Sequence, residues 1–355
     1  MTMHMRTFRQ RYFCVASLSC AAVLCYLFYN RQLYETPGTA SANNVEDDVS
    51  EPSNSPEPDV QLFATFPSFR QEENLTATEG ILCIDEGEAR WQFRLPKALI
   101  IGVRKGGTRV LLDILARHPS VKACAREVHF FDRQENHKLG LDWYSSQMPL
   151  SLEADIVIER TPAYFISDDA PRLIYKMSPS VKLLVVVRDP TVRAISDYAE
   201  LFDKYHGEMK PFEEYVTADS KHNVVKTYSE IVNTGVYTSH LNNWMKYFPL
   251  EQFHFVSGEL LFRDPVQEIK EVENFLALKP FIDEKLFYFN KTKDFPCLAP
   301  ASKKNGQNAV SGCLSDTKGR PHPAVNEDVV TLLRDYYRPF NEHFYSVVRR
   351  NFAWP

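Results

Sequence analysis

The sequence predicts an α/β fold in which helices flank a central parallel sheet, and two segments carry this prediction. The first, ALIIGVRKGGTR at 98–109, is an apolar run that ends in a basic, glycine-containing turn. The second, VKLLVVVRDP at 181–190, is a longer apolar run that also ends in charged residues. Continuous apolar strands are typical of parallel sheets, because helices cover both faces. Since a helical pattern follows each segment, we expect both turns at the carboxyl edge of one sheet, where α/β proteins bind ligands.

Strands and helices alternate along the rest of this region, as a parallel sheet requires. We predict strands at 98–103, 156–159, 181–187 and 252–257, and a further short strand before Glu127. We predict helices at 108–117, 168–177, 191–205, 236–247, 264–277 and 326–348. The last helix places four apolar residues on one face, Val329, Leu332, Leu333 and Tyr336. A chain of 355 residues that is 44% hydrophobic can bury the core of such a domain.

The turn at 104–109 has the composition of a phosphate-binding loop. Glycines let the backbone approach an anion, the amides at the start of the next helix point toward it, and Lys105 adds a mobile positive charge. The lysine precedes Gly106 and Gly107, so the loop is not the GxxxxGK[ST] P-loop of nucleotide-hydrolysing enzymes. From this loop alone, a phosphate site and an ordinary strand-to-helix turn are equally good interpretations.

The amino end predicts a membrane anchor. Residues 12–29 carry no charge, and Arg6, Arg9 and Arg11 precede them. This run is just long enough to span a bilayer, and the arginines place a cytosolic tail at 1–11 and the rest of the chain in the lumen. A cleaved signal peptide is the alternative, although no small-residue cleavage site follows the run.

Residues 30–93 predict a flexible luminal stem, because prolines are mixed with serine, asparagine and acids and no apolar period is sustained. The net charge of −5 arises in this amino-terminal part. Residues 1–90 hold 13 acidic and 6 basic residues, whereas residues 91–355 hold 33 and 35. The slight positive balance of the predicted domain at 94–355 does not by itself indicate a polyanion partner.

The cysteines and two glycosylation triplets agree with a luminal location. Of the seven cysteines, four lie outside the predicted span: Cys83, Cys124, Cys297 and Cys313. The sequence leaves open whether Cys83 and Cys124 are free or paired. No CxxC pair occurs, so no structural zinc site is expected. Asn74 and Asn290 each begin an Asn-X-Thr acceptor triplet.

Taken together, the two loops resemble those of the sulfotransferases, whose donor is 3'-phosphoadenosine 5'-phosphosulfate. Further segments resemble the heparan sulfate glucosamine 3-O-sulfotransferases, in that family's order: EVHFFD, GLDWYSSQMP, ERTPAYF, FYFNKTKDFPC and TKGRPHP. The resemblance covers residues 94–355. It implies a single sulfotransferase-type domain that sulfates the 3-hydroxyl of glucosamine in heparan sulfate without a metal. It also implies a type II Golgi membrane protein and a Cys297–Cys313 disulfide, worth roughly 3 kcal/mol by loop-closure entropy.

The resemblance assigns the donor to both loops. Lys105 bridges to the transferring sulfuryl group, and its neighbours complete the cradle for the 5'-phosphosulfate: Gly106, Gly107, Thr108 and Arg109. Arg188 and Ser196 bind the 3'-phosphate, while Arg193 is either near this site or a solvated helix residue. A basic loop near the carboxyl end closes over the donor, although its residues alone read as a surface turn: Lys318, Gly319, Arg320, Pro321 and His322.

The acceptor site falls on EVHFFD and ERTPAYF. The resemblance makes Glu127 the general base that takes the proton of the glucosamine hydroxyl. In an extended segment His129 projects on the same side and orients the base or the sugar. Asp132 either holds a basic partner or sugar hydroxyl, or caps a helix. Further substrate contacts are implied for Arg109, Arg160, Thr161, Pro162 and Ala163.

Three residues depart from the family's pattern. Arg160 stands where the family has lysine, which changes the reach and donor geometry of the cation. Glu200 stands where many members have glutamine, and it would repel sulfates if it faced the polysaccharide. Pro321 replaces a small residue and removes an amide from the donor side.

Other functions compete with this interpretation. The same donor could serve another acceptor position or polymer, against which EVHFFD and FYFNKTK argue. A catalytically silent heparan-binding membrane protein would be favoured if Glu127 or Lys105 were absent, but both are present. A P-loop kinase lacks GK[ST] and an obvious magnesium carboxylate after the second strand. No nucleic-acid partner is expected, and the preferred saccharide and oligomeric state are not predicted.

Overall fold

The computed structural model describes residues 90–219, 221, 223–290, 295–299 and 324–355, all within one unit of the chain, 82–355. The predicted tail, membrane span and most of the stem lie outside these residues, as do Asn74 and Cys83. Among the helices of the described ranges, none is both long and apolar enough to cross a membrane.

Nine strands lie in the described residues: β1 (Gln92–Phe93), β2 (Ala98–Gly102), β3 (Val121–Ala123), β4 (Leu150–Ser151), β5 (Ile156–Arg160), β6 (Lys182–Val187), β7 (Phe253–Ser257), β8 (Phe287–Asn290) and β9 (Phe295–Leu298). Five of them form the central sheet in the order β3-β5-β2-β6-β7, and every neighbouring pair is parallel. The other four form two antiparallel pairs, β1 with β4 and β8 with β9. The predicted parallel sheet is confirmed.

The same ranges contain eleven helices: α1 (Thr108–Leu115), α2 (Gln134–His137), α3 (Gly140–Ser146), α4 (Ala170–Met177), α5 (Pro190–Lys204), α6 (Phe212–Val216), α7 (Glu230–Asn233), α8 (Tyr237–Trp244), α9 (Gly258–Arg263), α10 (Pro265–Leu276) and α11 (Glu327–Val348). Asp-Pro pairs begin both α5 and α10. The Asp189 side chain accepts from the Thr191 amide at 2.8 Å, and the Asp264 side chain accepts from the Gln267 amide at 3.4 Å. Such caps satisfy amides that have no partner within the helix, and proline suits the first helical position.

The core lies on both faces of the sheet, because successive strand residues point to opposite sides. Leu99 and Val185 belong to one apolar layer, and Ile100 and Leu184 belong to the other; all four are fully buried. This two-sided burial explains why β2 and β6 read as continuous apolar runs. Because β2 and β6 are adjacent and parallel, the two loops predicted to bind the donor leave the sheet side by side.

All ten predicted strands and helices are present, with ends that differ by at most three residues, and β3 is the short strand expected before Glu127. The predicted inner face of α11 is only partly right. Val329 and Leu333 are buried, but Leu332 and Tyr336 are half-buried. Tyr337 is buried instead, and its hydroxyl is satisfied by donating to the Val232 carbonyl of α7 at 2.8 Å. The shorter helices α2, α3, α6, α7 and α9 were not predicted.

Leu184→Ala should lower the free energy of unfolding by about 2–5 kcal/mol, because it leaves a cavity in the middle of β6. Urea denaturation followed by circular dichroism measures this loss. Leu139→Ala is the matched control: Leu139 is 53% exposed, and its truncation should change stability by no more than about 0.5 kcal/mol. Equal losses for both variants would contradict the burial of the sheet.

Candidate active site

The loop between β2 and α1 packs closely against the sheet, and this packing determines where glycine is needed. A Cβ on Gly106 would lie 2.2 Å from the Val186 carbonyl oxygen of β6. Gly107 precedes the first residue of α1 with φ of 115°, in the left-handed region that glycine tolerates best. The glycines are therefore required by the backbone itself, in addition to any approach by an anion.

A third segment, the turn after β7, packs against the loop after β2. Gly258 begins α9 at the end of β7, and a Cβ there would lie 2.4 Å from the Gly106 carbonyl oxygen and 3.5 Å from Cβ of Arg188. The turns after β2, β6 and β7 thus meet at one place on the carboxyl edge. Gly258 was missed by the sequence analysis, although a glycine directly after an apolar strand is a recognisable signal for close backbone approach.

Acidic side chains from α5 and α7 pair with the cations of the first loop. Lys105 Nζ lies 3.0 Å from Oε2 of Glu200, and the two side chains are 15% and 39% exposed. Arg104 lies 2.7 Å from Asp197 and 3.5 Å from Glu230. The loop that was predicted to hold an anion is therefore held to α5 by carboxylates.

Arg193 belongs to this network and is not a solvated helix residue, so that alternative is wrong. Its side chain is fully buried. One guanidinium nitrogen lies 2.9 Å from the Asp197 carboxylate, and another donates to the Ile231 carbonyl. Asp197 consequently joins Arg193 to Arg104.

The residues predicted for the 3'-phosphate lie beside the same loop. Arg188 is half-buried at the end of β6, and burial lowers the pKa of its guanidinium against the opposing effect of Glu259. Ser196 is half-buried on α5, in the helix that carries Glu200. The Glu259 carboxylate also accepts from the Asp189 amide at 2.8 Å and fixes the turn after β6.

The residues predicted for the acceptor site form a continuous chain of contacts. Arg160 Nη1 donates to Glu127 Oε1 at 2.6 Å. His129 Nε2 lies 3.5 Å from the other carboxylate oxygen of Glu127, and its Nδ1 lies 2.7 Å from Asp132. Glu127 is 38% exposed, whereas the other three side chains are more deeply buried.

Two local expectations about these residues are wrong. His129 has φ of 54°, so the segment is not extended there, and the turn of the backbone brings its ring toward Glu127. Asp132 does not cap α2, because Arg133 is the capping residue and no side chain accepts there. The Asp132 carboxylate is directed to His129 instead.

Arg160 also connects the two halves of the site. The same Nη1 that contacts Glu127 lies 3.4 Å from the hydroxyl oxygen of Thr108, the first residue of α1. Arg109 fastens α1 to the segment after β3, since it contacts Asp113 at 2.8 Å and donates to the Ala125 carbonyl at 3.0 Å. One guanidinium therefore lies between the predicted base and the start of the donor loop's helix.

Comparison with known proteins identifies the family. A model of the sulfotransferase domain matches residues 95–346. Mouse heparan sulfate glucosamine 3-O-sulfotransferase 5 is 45% identical over 264 residues, which are 74% of this chain and 75% of the relative. Mouse heparan sulfate glucosamine 3-O-sulfotransferase 6 is 48% identical over 263 residues, or 74% of each chain. The chain belongs to the heparan sulfate glucosamine 3-O-sulfotransferases. The resemblance read from the sequence is confirmed.

A solved sulfotransferase from Alicyclobacillus acidocaldarius shares the fold. It superposes with a TM-score of 0.52 at 19% identity, covering 72% of this chain and 97% of that chain. This likeness confirms the predicted sulfotransferase architecture around the parallel sheet.

The sequence analysis missed Glu159, which accepts a hydrogen bond from the amide of Val128, the residue after Glu127. Glu159 is fully buried on β5, and burial raises the pKa of its carboxyl to about 7. Its neighbour Thr161 accepts from the amides of Val128 and His129 at 3.1 and 3.3 Å. Pro162 is buried and Ala163 is half-buried in the 3₁₀ turn Pro162–Ile166. The available signal was a single charged residue at the end of the apolar run IVIE.

Several predicted residues of the sulfotransferase lie outside the described residues, namely Lys318, Gly319, Arg320, Pro321, His322 and Cys313. Cys297 is disulfide-bonded, and its pairing with Cys313 stays a prediction. Cys124 is a free, buried thiol, whose pKa is raised by burial. Asn290 is half-buried at the end of β8.

Asp197→Ala should lower the free energy of unfolding by about 3–5 kcal/mol, because it leaves the buried Arg193 guanidinium without its carboxylate. Asp335→Ala provides the control, since Asp335 and Arg338 form an exposed pair on α11 that is worth less than about 1 kcal/mol. Thermal and urea denaturation of both variants measure these changes in the free energy of unfolding. A loss below about 1 kcal/mol for Asp197→Ala would mean that the network does not hold the loop.

Proposed function

We propose that this protein transfers a sulfuryl group from 3'-phosphoadenosine 5'-phosphosulfate to the 3-hydroxyl of glucosamine residues in heparan sulfate. The observation that carries the proposal is the placement of Arg160 between Glu127 and Thr108. It puts a carboxylate that can accept a proton next to the start of α1. The names of the 45–48% identical relatives supply the acceptor and the position sulfated.

The residues present fit a phosphosulfate group. Close packing of the backbone at Gly106 and Gly258 brings the turns after β2, β6 and β7 together at one place on the carboxyl edge. The first amides of α1 face this edge, as in other helix N-terminal anion sites. Lys105 and Arg188 add positive charge, and Lys105 can exchange the half-exposed Glu200 for an anion at little cost. When bound, the donor supplies the sulfuryl group and a phosphate leaving group.

The side chains have distinct tasks in this proposal. Glu127 accepts the proton of the attacking hydroxyl, and its 38% exposure leaves it accessible to a sugar. Arg160 and His129 orient the Glu127 carboxylate from two sides. Lys105 offers charge to the phosphate oxygen that leaves. Positioning and electrostatics then supply most of the rate, as in phosphoryl transfer.

Our proposal extends to the cellular setting. The arginines before residues 12–29 support a type II anchor with the catalytic domain in the Golgi lumen. There, Asn74 and Asn290 are proposed glycosylation sites and Cys297–Cys313 a proposed disulfide. Donor contacts by the loop at 318–322 and independence from metal ions likewise remain part of the proposal.

Glu127→Gln should reduce kcat by at least about 100-fold, since a positioned general base contributes about 10²–10⁴. The assay is transfer of labelled sulfate from the donor to heparan sulfate by the full chain, with disaccharide analysis of the product. The amide retains the size of the carboxyl group, and an unchanged melting temperature would show that the fold is intact. Sulfate found at another position, or an active Glu127→Gln variant, would refute the proposal.

Glu200→Gln should lower the KM for the donor about two- to fivefold, because the Glu200 carboxylate would no longer compete with the donor for Lys105. The effect should be modest, since solvent partly screens this pair. The sequence analysis left open which way Glu200 faces, and in the structure its carboxylate lies 3.0 Å from Lys105 Nζ. Glu214→Gln is the control and should leave KM unchanged, because Glu214 of α6 forms an exposed pair with Lys210, which precedes the helix. An unchanged or higher KM in Glu200→Gln would show that the pair does not compete with the donor.

A further inference from the structure

The buried carboxyl group of Glu159 contacts the backbone that carries the proposed base. Its Oε1 accepts from the Val128 amide at 3.3 Å and from the Thr161 hydroxyl, and its Oε2 accepts from the Tyr144 hydroxyl at 3.3 Å. Val128 lies between Glu127 and His129 in the chain. Glu159 is thus one hydrogen bond away from the segment whose side chains face the acceptor.

Thr161 couples the carboxylate to the same segment a second time. Its hydroxyl oxygen accepts from the amides of Val128 and His129 while its hydrogen is directed to Glu159. As a carboxylate, Glu159 accepts the bonds from Val128, Thr161 and Tyr144. Protonation would place a hydrogen on one of its two oxygens, and the hydroxyl that now donates to that oxygen, Thr161 at Oε1 or Tyr144 at Oε2, would have to turn its own hydrogen away.

The ionisable groups that interact with Glu159 are Tyr144, Tyr164, Cys124 and Arg160, and the His129 imidazole lies on the turn itself. Burial raises the pKa values of Tyr144 and Tyr164 well above their ordinary range and raises the pKa of the Cys124 thiol. The guanidinium of Arg160 opposes the effect of burial on Glu159. Burial raises the pKa of Glu159 itself to about 7, so its charge changes within the range in which an enzyme is assayed.

We propose that Glu159 is a positioning residue for sulfuryl transfer: as a carboxylate it fixes, through Thr161 and the Val128 amide, the turn that aims Glu127 and His129 at the acceptor. This inference rests on the proposed function for its kinetic consequence. Its structural part, a turn whose hydrogen bonds depend on the charge of Glu159, stands separately.

The kinetic test compares the full chain with Glu159→Gln between pH 5.5 and 8.5. The amide is neutral, as the protonated carboxyl is, so both proteins should have similar kcat values at pH 5.5. At pH 8 the variant should be at least tenfold slower, with a KM for the donor within about threefold. Glu153→Gln, which alters an exposed carboxylate just before the same strand, should match the wild type throughout. A ratio of kcat values that does not change with pH would overturn the proposal.

A second measurement does not depend on sulfuryl transfer. In the wild-type chain labelled with [15N]valine, the Val128 amide, assigned by Val128→Ile, should shift with a midpoint near pH 7. This shift should be absent in Glu159→Gln. A Val128 signal that is unchanged from pH 5 to 9 in the folded wild type, or that titrates equally in Glu159→Gln, would refute the structural part. A wild type that shows the shift but transfers no sulfate would refute the proposed function and leave the role of Glu159 in the turn intact.

Discussion

The carboxylate of Asp197 holds together the parts of the chain on which the site depends. It binds the fully buried Arg193 from its own helix and the half-exposed Arg104 from the loop after β2. A guanidinium removed from water is tolerated only when it is paired and hydrogen-bonded, so Arg193 needs this carboxylate and the Ile231 carbonyl. Since α5 follows β6 directly, the position of the first loop is set by the helix that begins at the second. The two loops proposed to bind the donor are therefore tied to each other through α5.

Cations and carboxylates pair in both parts of the described site, and the pairs differ in burial. Beside the loop after β2, Asp197 is buried and contacts Arg104, whereas Glu200 is partly exposed and contacts Lys105. Among the residues proposed to meet the acceptor, Arg160 is 8% exposed and Glu127 is 38% exposed. The cation is thus held in place by its surroundings, and the carboxylate is the member of that pair that reaches solvent.

The sequence was sufficient to predict the long elements and the grouping of the site, because continuous apolar strands and basic glycine turns are local signals. It was insufficient where contacts between residues far apart in the sequence determine burial or backbone conformation. The burial of Arg193 depends on a carbonyl 38 residues away, and the need for glycine at 106 depends on the backbone of β6. At His129 the backbone is left-handed, and its amide donates to the hydroxyl oxygen of Thr161, 32 residues later. Short helices such as α7 likewise carry too few residues for a periodic pattern.

The end of β5 explains how one strand serves both sides of the site. Successive residues point to opposite faces of a sheet, and Val157 and Ile158 accordingly lie in different apolar layers. Glu159 is on the same side of the strand as Val157 and reaches the Val128 amide. Arg160 is on the same side as Ile158 and reaches Thr108 at the start of α1. A shift of β5 by one residue would reverse both directions at once. The register of β5 against β2 and β3 therefore determines the chemistry of the site as well as the packing of the core.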